Sequence, residues 1–461
     1  MKNVFTRRSL RAGMGIAAIA TIPSCNDFLA VENPGSLDVS ALTDSAYASL
    51  LVNGVIGEFQ EMFGTVTMYS SVLADESGSS HVNASFGPVD LRNFNNQLDI
   101  NLLVYRPLAR SRYVADSTAD RLRGYRGPDA GKDLRLARVL AYSGYTYTLL
   151  AELFCEAPIQ RSAAFTPNQL FAQSLPKYDS AIAVARTAKT AGANATVADS
   201  LINLALVGAA RASLGMGDKA KAISYAQQVG PNFRFEVYYL ESNTPADFGL
   251  SNPLFVATGF PSASTVTGTG STAGWAYSSG SLWMVVGEGF QSFANNLDPR
   301  VPMTPTRVRA MNATNQFVAN QPTSYSGYQP PTLSGTTVVK AGNAIQRGSL
   351  IRLASTLEAE YIIAEAQGGT AATLAFVNGR RAAGNQDEVA GLGALEIMAE
   401  LRDQRKRDFY LDLHRLGDLR RYKSQYQIDQ FPTGPAYGTV ECWLIPIAEI
   451  NDNPNLQPPK P

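Results

Sequence analysis

Apolar side chains recur every three or four residues over long parts of the chain, which is the spacing of one face of an α-helix. The clearest example covers residues 136–154, and Pro158, which cannot continue a helix, follows it. The residues of this face are Leu136, Leu140, Tyr147, Leu150 and Phe154, with the small Ser143 in the same stripe. The pattern predicts a long helix packed along one side.

Two shorter helical patterns lie within residues 197–231, separated by the turn-forming run at 215–218 (GMGD). Their faces consist of small and apolar residues: Leu201, Leu204, Ala205, Gly208, then Ala222, Ala226 and Val229. Two such helices within ~34 residues are typical of a tetratricopeptide unit. Further helical patterns at residues 39–63, 169–189 and 355–367 extend the prediction to a mainly α, tetratricopeptide-like scaffold.

The helical spacing is lost between about residues 231 and 348, where Pro, Gly, Ser, Thr and Asn crowd the sequence. Irregular segments of this length are uncommon unless they carry a function. We therefore expect one domain, residues 25–461, in which a loop-rich capping insertion (about 231–348) interrupts a helical scaffold (about 36–230 and 349–461).

Aromatic residues cluster in this insertion at Trp275, Tyr277 and Trp283, and they include two of the three tryptophans of the chain. Aromatic rings stack on sugars and anchor peptides in grooves, so these three residues are the candidate ligand-binding residues. The alternative is that they pack together beneath the loops. Trp443 lies near the end of the chain, where a packing role is expected.

The N-terminus has the pattern of a secretory signal peptide. Basic residues (Lys2, Arg7, Arg8 and Arg11) precede a short apolar run at 12–23, which is too short to span a bilayer as a helix. Cys25 follows, and its position resembles the cleavage point of a bacterial lipoprotein. We expect residues 1–24 to be removed and Cys25 to be lipidated, the alternative being ordinary secretion. No later stretch reaches ~18 apolar residues, so no membrane span is expected.

The remaining cysteines, Cys155 and Cys442, form an even pair in a chain that the signal directs to an oxidising compartment. Both lie among apolar residues, without an adjacent cation that would lower the pKa of a nucleophilic thiol. A disulfide between them is therefore predicted.

The charge balance argues against nucleic acid as a partner. Lys and Arg number 39, and Asp and Glu also number 39, so the chain lacks the excess positive charge that nucleic-acid binding requires. Asp75 and Glu76, followed by His81, match no regular metal-ligand spacing, and a helix end explains them equally well. We expect no metal and no cofactor.

Six segments, spread in order over nearly the whole chain, resemble those of one known family. They are residues 26–34 (NDFLAVENP), 152–158 (ELFCEAP, which keeps only the proline of the family's turn), 297–300 (LDPR), 353–367 (LASTLEAEYIIAEAQ), 405–421 (RKRDFYLDLHRLGDLRR) and 443–447 (WLIPI). Together they resemble the SusD/RagB family of outer-membrane nutrient-binding lipoproteins. The resemblance implies a SusD-like fold and a lipid-anchored protein on the cell surface. It further implies an oligosaccharide or peptide ligand and delivery to a SusC-like TonB-dependent transporter.

Two other classes of function stay open. A secreted glycoside hydrolase on a helical scaffold would need two carboxylates ~5–10 Å apart in a cleft. A tetratricopeptide adaptor would bind only proteins, but the aromatic, loop-rich insertion argues against it. Asp408 and Asp412 would share one face of a helix and could suggest an acid–base pair. We instead expect a structural, non-catalytic network in which these aspartates and His414 pair locally with their neighbours: Arg405, Arg407, Arg415, Arg420 and Arg421.

Overall fold

The structure is a computed structural model, and it describes most of the helical scaffold together with short parts of the insertion. The described residues are 42, 44–79, 86–240, 252–254, 284–286, 298–301, 303–305, 310–311, 317–318, 336–340, 343–344 and 348–457. The sequence-predicted residues Cys25, His81, Trp275, Tyr277 and Trp283 lie outside them.

Helices make up most of the described chain. They are α1 (Ala48–Leu73), α2 (Phe86–Asp90), α3 (Asp99–Arg126), α4 (Leu134–Leu153), α5 (Pro167–Thr190), α6 (Ala195–Gly215), α7 (Lys219–Ala226), α8 (Thr356–Gln367), α9 (Ala371–Ala383), α10 (Ala394–Asp408), α11 (Arg415–Tyr426) and α12 (Ile447–Asp452). The helices expected at 136–154, 197–231 and 355–367 are confirmed as α4, the α6–α7 pair and α8. The mainly α fold is therefore confirmed.

Two helices differ from the sequence prediction. The helix expected at 39–63 begins later and extends further, as α1, Ala48–Leu73. α3, Asp99–Arg126, was missed, and it contains Pro107 in its interior.

Side-chain caps explain where several helices begin. Thr166 and Gln169 form a capping box before α5, in which the Gln169 side chain accepts the Thr166 N–H at 2.8 Å. The Asn194 side chain accepts the Val197 N–H at the start of α6, and Asp218 does the same for α7. Each cap pairs a backbone N–H that the first turn of a helix leaves without a partner.

Helices α4 to α7 pack one against the next, as paired helices of a tetratricopeptide scaffold do. Tyr178 of α5 is fully buried between α4 and α6, and its hydroxyl lies 3.0 Å from Thr148 Oγ1. A Cβ at Gly144 would lie 2.6 Å from the Tyr178 ring, and a Cβ at Gly208 would also overlap it. The two glycines therefore make the space into which this ring fits.

α6 is long and apolar enough to cross a membrane by length and composition. However, 72% of its apolar stretch is buried inside the protein, where it packs among the scaffold helices. It is the one described helix that meets this criterion.

The strands are short. They are β1 (Ser77–Ser79), β2 (Ala157–Pro158), β3 (Ala164–Phe165), β4 (Arg234–Val237), β5 (Met284–Val286), β6 (Met303–Pro305), β7 (Ala310–Met311), β8 (Phe317–Val318), β9 (Thr336–Lys340), β10 (Asn343–Ala344) and β11 (Ile351–Ser355). These strands pair antiparallel with one another: β1 with β5, β2 with β3, β4 with β11, β7 with β8, and β9 with both β6 and β10.

The C-terminal segment returns to the centre of the scaffold. Cys155 and Cys442 are joined by a disulfide, with their Cα atoms 5.2 Å apart. Next to it, the Trp443 N–H donates to the Leu153 carbonyl at 2.8 Å, and the Trp443 carbonyl accepts the Cys155 N–H at 3.0 Å. The Trp443 ring is fully buried, and its Nε1–H donates to Ser70 Oγ. The disulfide therefore joins two segments that are already hydrogen-bonded.

Candidate functional site

The insertion leaves and rejoins the scaffold at one place. β4 leads into it and β11 leads out of it, and the two strands pair antiparallel, with Val237 opposite Ile351 and Arg234 opposite Ser355. β11 is buried along its whole length. The insertion is thus attached to the scaffold by a two-stranded base, in which β11 is buried and β4 is buried only at Val237.

A second attachment involves the strand that follows the aromatic cluster in the sequence. β5 pairs with β1, which follows the end of α1, and the register places Met284 opposite Ser79 and Val286 opposite Ser77. Trp283 directly precedes β5 in the sequence. The backbone pairing of β5 therefore fixes where the chain that carries the aromatic residues meets the scaffold.

Asp408 and Asp412 do not form an acid–base pair on one helix face. α10 ends at Asp408, and Asp412 lies in the irregular turn that follows. Asp408 accepts two hydrogen bonds from Arg380 at 2.7 and 2.8 Å and one from the Tyr361 hydroxyl at 2.5 Å. The Asp412 carboxylate accepts hydrogen bonds from Nε and Nη2 of Arg352, at 2.9 and 2.7 Å. The two aspartates thus pair with arginines distant in the sequence, Asp408 with Arg380 of α9 and Asp412 with Arg352 of β11, which the expectation of local pairing did not include.

The turn between α10 and α11 is held in an unusual conformation. Leu411 and Leu413 have positive φ values of 58° and 61°, which side chains other than glycine rarely adopt. The Leu411 N–H donates to the buried Glu76 carboxylate at 2.9 Å, and the Leu413 carbonyl accepts Nη2 of Arg211 at 2.9 Å. The left-handed conformation of Leu411 and Leu413 therefore lets their backbone groups form hydrogen bonds with two buried charged side chains, those of Glu76 and Arg211. Glu76 is used in this contact, and among the described residues no three His, Cys, Asp or Glu side chains group as a metal site would require.

His414 belongs to a buried network around Arg211. Arg211 of α6 makes a bidentate ion pair with Glu152 of α4, at 2.8 and 2.7 Å. His414 Nε2 lies 3.2 Å from Arg211 Nη1 and 3.3 Å from Glu358 Oε2. Burial, together with the positive charge of Arg211, lowers the pKa of His414 below its ordinary value. Burial alone would raise the pKa of Glu358, but the neighbouring His414 and Arg211 bring it below its ordinary value.

A further set of ion pairs joins α10, α11 and α8. Asp418 accepts Nε of Arg405 at 2.8 Å and Nη2 of Arg421 at 2.8 Å, while Arg421 also donates to Glu365. Burial opposes ionisation of Asp418, but these two guanidinium groups lower its pKa well below the ordinary value. The carboxylate therefore stays ionised and paired.

Catalysis by these buried carboxylates is not favoured. A general acid at neutral pH needs a raised pKa in an open cleft. Each of the following carboxylates instead forms an ion pair with an arginine: Glu152, Glu358, Glu365, Asp408, Asp412 and Asp418. The charge cluster is suited to fixing helices relative to one another.

A pocket of about 700 Å³ lies where α4 and α6 end and α5 begins. Its described wall belongs to the scaffold and includes Phe171, Met216 and Cys442. Two of its charged side chains are already engaged, since Arg420 donates to the Ala151 and Glu152 carbonyls and Lys423 pairs with Glu441. The pocket could hold a small polar molecule, and the residues described in its lining all belong to the scaffold.

Comparison with solved structures identifies the architecture. A laminarin-binding SusD-like protein superposes with a TM-score of 0.60 at 14% sequence identity, covering 89% of this chain and 98% of that one. The chain has the SusD-like fold. A SusD superfamily protein from Bacteroides vulgatus superposes with a TM-score of 0.61 at 13% identity over 89% of this chain and 98% of its own.

A third SusD-like structure, described as a carbohydrate-binding protein from Bacteroides fragilis, has a TM-score of 0.59 at 13% identity and covers 90% of this chain and 99% of its own. No protein-family model and no curated protein matches the chain in sequence. The fold that the sequence resemblance implied is thus confirmed by structure, at an identity that establishes the fold alone.

Proposed function

We propose that the protein is a SusD/RagB-type lipoprotein of the cell surface that captures a nutrient, either an oligosaccharide or a peptide. The observation that carries the proposal is the SusD-like fold over about nine-tenths of the chain, shared with proteins described as laminarin-binding and carbohydrate-binding. The arginine-paired carboxylates of the scaffold favour a binding protein over a hydrolase.

The proposed ligand site lies on the insertion and includes Trp275, Tyr277 and Trp283. Two observations support this placement. The insertion contains all three residues, and β5, which follows Trp283 in the sequence, is attached to the scaffold through β1. An aromatic ring close to a fixed strand offers a large stacking surface at little cost in conformational entropy.

The test of the ligand site is a glycan and peptide array followed by calorimetry. We expect the variant Trp275→Ala with Trp283→Ala to lose about tenfold or more in affinity, or ~1.4 kcal/mol, with unchanged helical circular dichroism. The matched control is Tyr113→Ala, which removes an exposed aromatic ring from α3 of the scaffold. Equal affinities of wild type and double variant would place the site elsewhere. Hydrolysis of a bound glycan would reject the proposal of a binding protein and favour the alternative, a secreted glycoside hydrolase.

We further propose that Cys25 is lipidated, that the lipid holds the protein at the outer membrane, and that a SusC-like TonB-dependent transporter receives the ligand. The basic and apolar pattern before Cys25 supports the lipid anchor. Capture alone cannot move a nutrient across a membrane, so a transporting partner is required.

Two measurements test the anchor and the partner. Mass spectrometry of the native protein should show an acylated N-terminal Cys25, and a mature N-terminus elsewhere would contradict the anchor. Affinity purification from detergent-solubilised membranes should recover an outer-membrane barrel at near-equal stoichiometry. A stable complex of this kind buries more than ~2,000 Å², so it should survive extraction. Recovery of the lipoprotein alone would count against the partner.

A further inference from the structure

A short charged segment of the insertion, residues 298–300 just before β6, is joined to α10 by hydrogen bonds and ion pairs. The buried Asp298 carboxylate accepts the Arg300 backbone N–H at 3.0 Å and its guanidinium at 3.0 and 2.8 Å. The same guanidinium donates to Gln404 Oε1 at 2.8 Å and lies 3.5 Å from Asp408. From α10, Arg407 Nη1 donates back to Asp298 at 3.1 Å. We call these five residues the Asp298–Arg300 clamp.

Space for the clamp depends on a glycine at the end of α9. A Cβ at Gly384 would lie 2.8 Å from both Arg300 Cζ and Asp298 Oδ2, and it would overlap Arg300 Nη2. Real Cβ atoms do not approach other heavy atoms this closely. The φ of Gly384 is −97°, which any residue can adopt, so the glycine is required for space and not for backbone conformation.

The charges of the clamp are removed from water and matched. The Asp298 side chain has 0% exposure and that of Arg300 has 9%. Burial opposes ionisation of Asp298, but hydrogen bonds from Arg300 and Arg407 hold its pKa below the ordinary value. Buried ion pairs contribute little net stability, because desolvation offsets their attraction, but their geometry can specify how two segments fit together. The clamp is therefore better suited to fixing the position of the insertion than to stabilising the scaffold.

The clamp directly precedes a strand of the insertion, so it can determine where that strand lies. The Val301 N–H donates to the Asp298 carbonyl at 3.1 Å, and β6 begins directly beyond, at Met303. β6 pairs with β9, with Met303 opposite Val338, and β9 packs beside β5. The clamp is thus connected through two strands to β5, the strand that the aromatic cluster precedes in the sequence.

We propose that Asp298 and Arg300 are positioning residues for ligand binding, which fix the segment before β6 on α10 and thereby hold the β6–β9–β10 sheet of the insertion in one place. The inference rests on the proposed function in one respect, namely that the insertion binds the ligand. Loss of the clamp should weaken ligand binding without unfolding the scaffold.

The variant Gly384→Ala tests the proposal, because it displaces the clamp and removes no charge. Its matched control is Gly379→Ala on the same helix, where a Cβ would meet nothing within 4 Å. In Gly384→Ala we expect amide hydrogen exchange of β6 and β9 to accelerate about tenfold or more, while exchange in α4 stays unchanged. The affinity for the glycan or peptide identified on the array should fall about tenfold with an unchanged thermal midpoint of the scaffold. Gly379→Ala should resemble wild type in all three measurements.

A double-mutant comparison excludes a general packing defect. Arg300→Met removes the guanidinium that a Cβ at position 384 would strike, so Gly384→Ala should have almost no additional effect on exchange or affinity in the Arg300→Met background. Additive effects of the two changes would overturn the proposal, as would unchanged exchange in Gly384→Ala. Faster exchange with unchanged affinity would overturn the positioning role and leave the proposed function standing. Absence of any ligand for the wild-type protein would instead reject the proposed function, while the exchange measurement would still decide whether the clamp holds the sheet.

Discussion

Removal of the disulfide between Cys155 and Cys442 should lower the free energy of unfolding, because the unfolded chain gains conformational entropy when the bridge is absent. The two cysteines are separated by 287 positions, so the bridge closes a very long loop. In the chain-entropy model such a loop corresponds to about 5–6 kcal/mol, and native disulfides commonly deliver ~2–5 kcal/mol. The native contacts around the bridge do not depend on it, because Trp443 is also hydrogen-bonded to Leu153, Cys155 and Ser70. We therefore expect the double variant Cys155→Ala with Cys442→Ala to keep the native structure and lose stability.

Urea unfolding of a soluble form that begins at residue 26 measures this effect. A loss of ~3 kcal/mol, with a denaturant slope of ~3 kcal/mol/M, lowers the urea midpoint by about 1 M. Far-UV circular dichroism of the folded variant should equal that of the wild type. Reduction of the wild type should lower its midpoint to that of the double variant, whereas reduction of the variant should change nothing. Two free thiols in the unfolded, unreduced wild type, or equal midpoints of the two proteins, would refute the reasoning.

Two further changes test the packing and the buried charges. Gly208→Ala should destabilise the protein by about 1–3 kcal/mol, because the new methyl group overlaps the buried Tyr178 ring, whereas Gly124→Ala, at an open site on α3, should be neutral or stabilising. Since the pKa of His414 in the folded protein lies below its ordinary value of 6.5, the unfolded chain takes up a proton first on acidification. Stability should be fully present above about pH 6.5 and fall as the pH drops below it, and His414→Gln should flatten this slope in pH-dependent thermal unfolding. An equally steep slope in the variant would contradict the assignment to His414.

Helices that follow a strong apolar period could be predicted from the sequence. α4 and α6 have long apolar faces, and their neighbours fit because small residues such as Gly144 and Gly208 leave room for the Tyr178 ring. α3 was missed, since its interior Pro107 argues against a helix and its sequence is rich in charge. A signal was nevertheless present, because its buried residues recur at helical spacing: Ile100, Val104, Leu108, Ala115, Ala119 and Leu122.

The partners of the charged residues could not be predicted in the same way. Local pairing along a helix is the expectation when Asp408 and Asp412 lie among five arginines, but local pairs are worth only ~0.2–0.5 kcal/mol. Tertiary packing overrides so small a preference. It brings Arg380 of α9 and Arg352 of β11 to these two aspartates, across gaps of 28 and 60 residues in the sequence. The sequence contains the charges, but only the packing of α8 to α11 determines which of them meet.

The arrangement of buried charge also suggests why a chain with only 17% charged residues places so many of them inside. Arg352 lies on β11, where the insertion rejoins the scaffold, and Arg300 lies on the insertion itself; both reach the end of α10 or the turn after it. Apolar contacts alone tolerate several packings of similar energy, whereas a buried guanidinium is stabilised only in the arrangement that provides its carboxylate. The strands of the insertion that the structure describes are short, with two to five residues each, and offer little regular structure to determine its position. Buried ion pairs at the places where it meets α10 supply that specificity, and the helices of the scaffold provide the rigid groups to which the arginines bind.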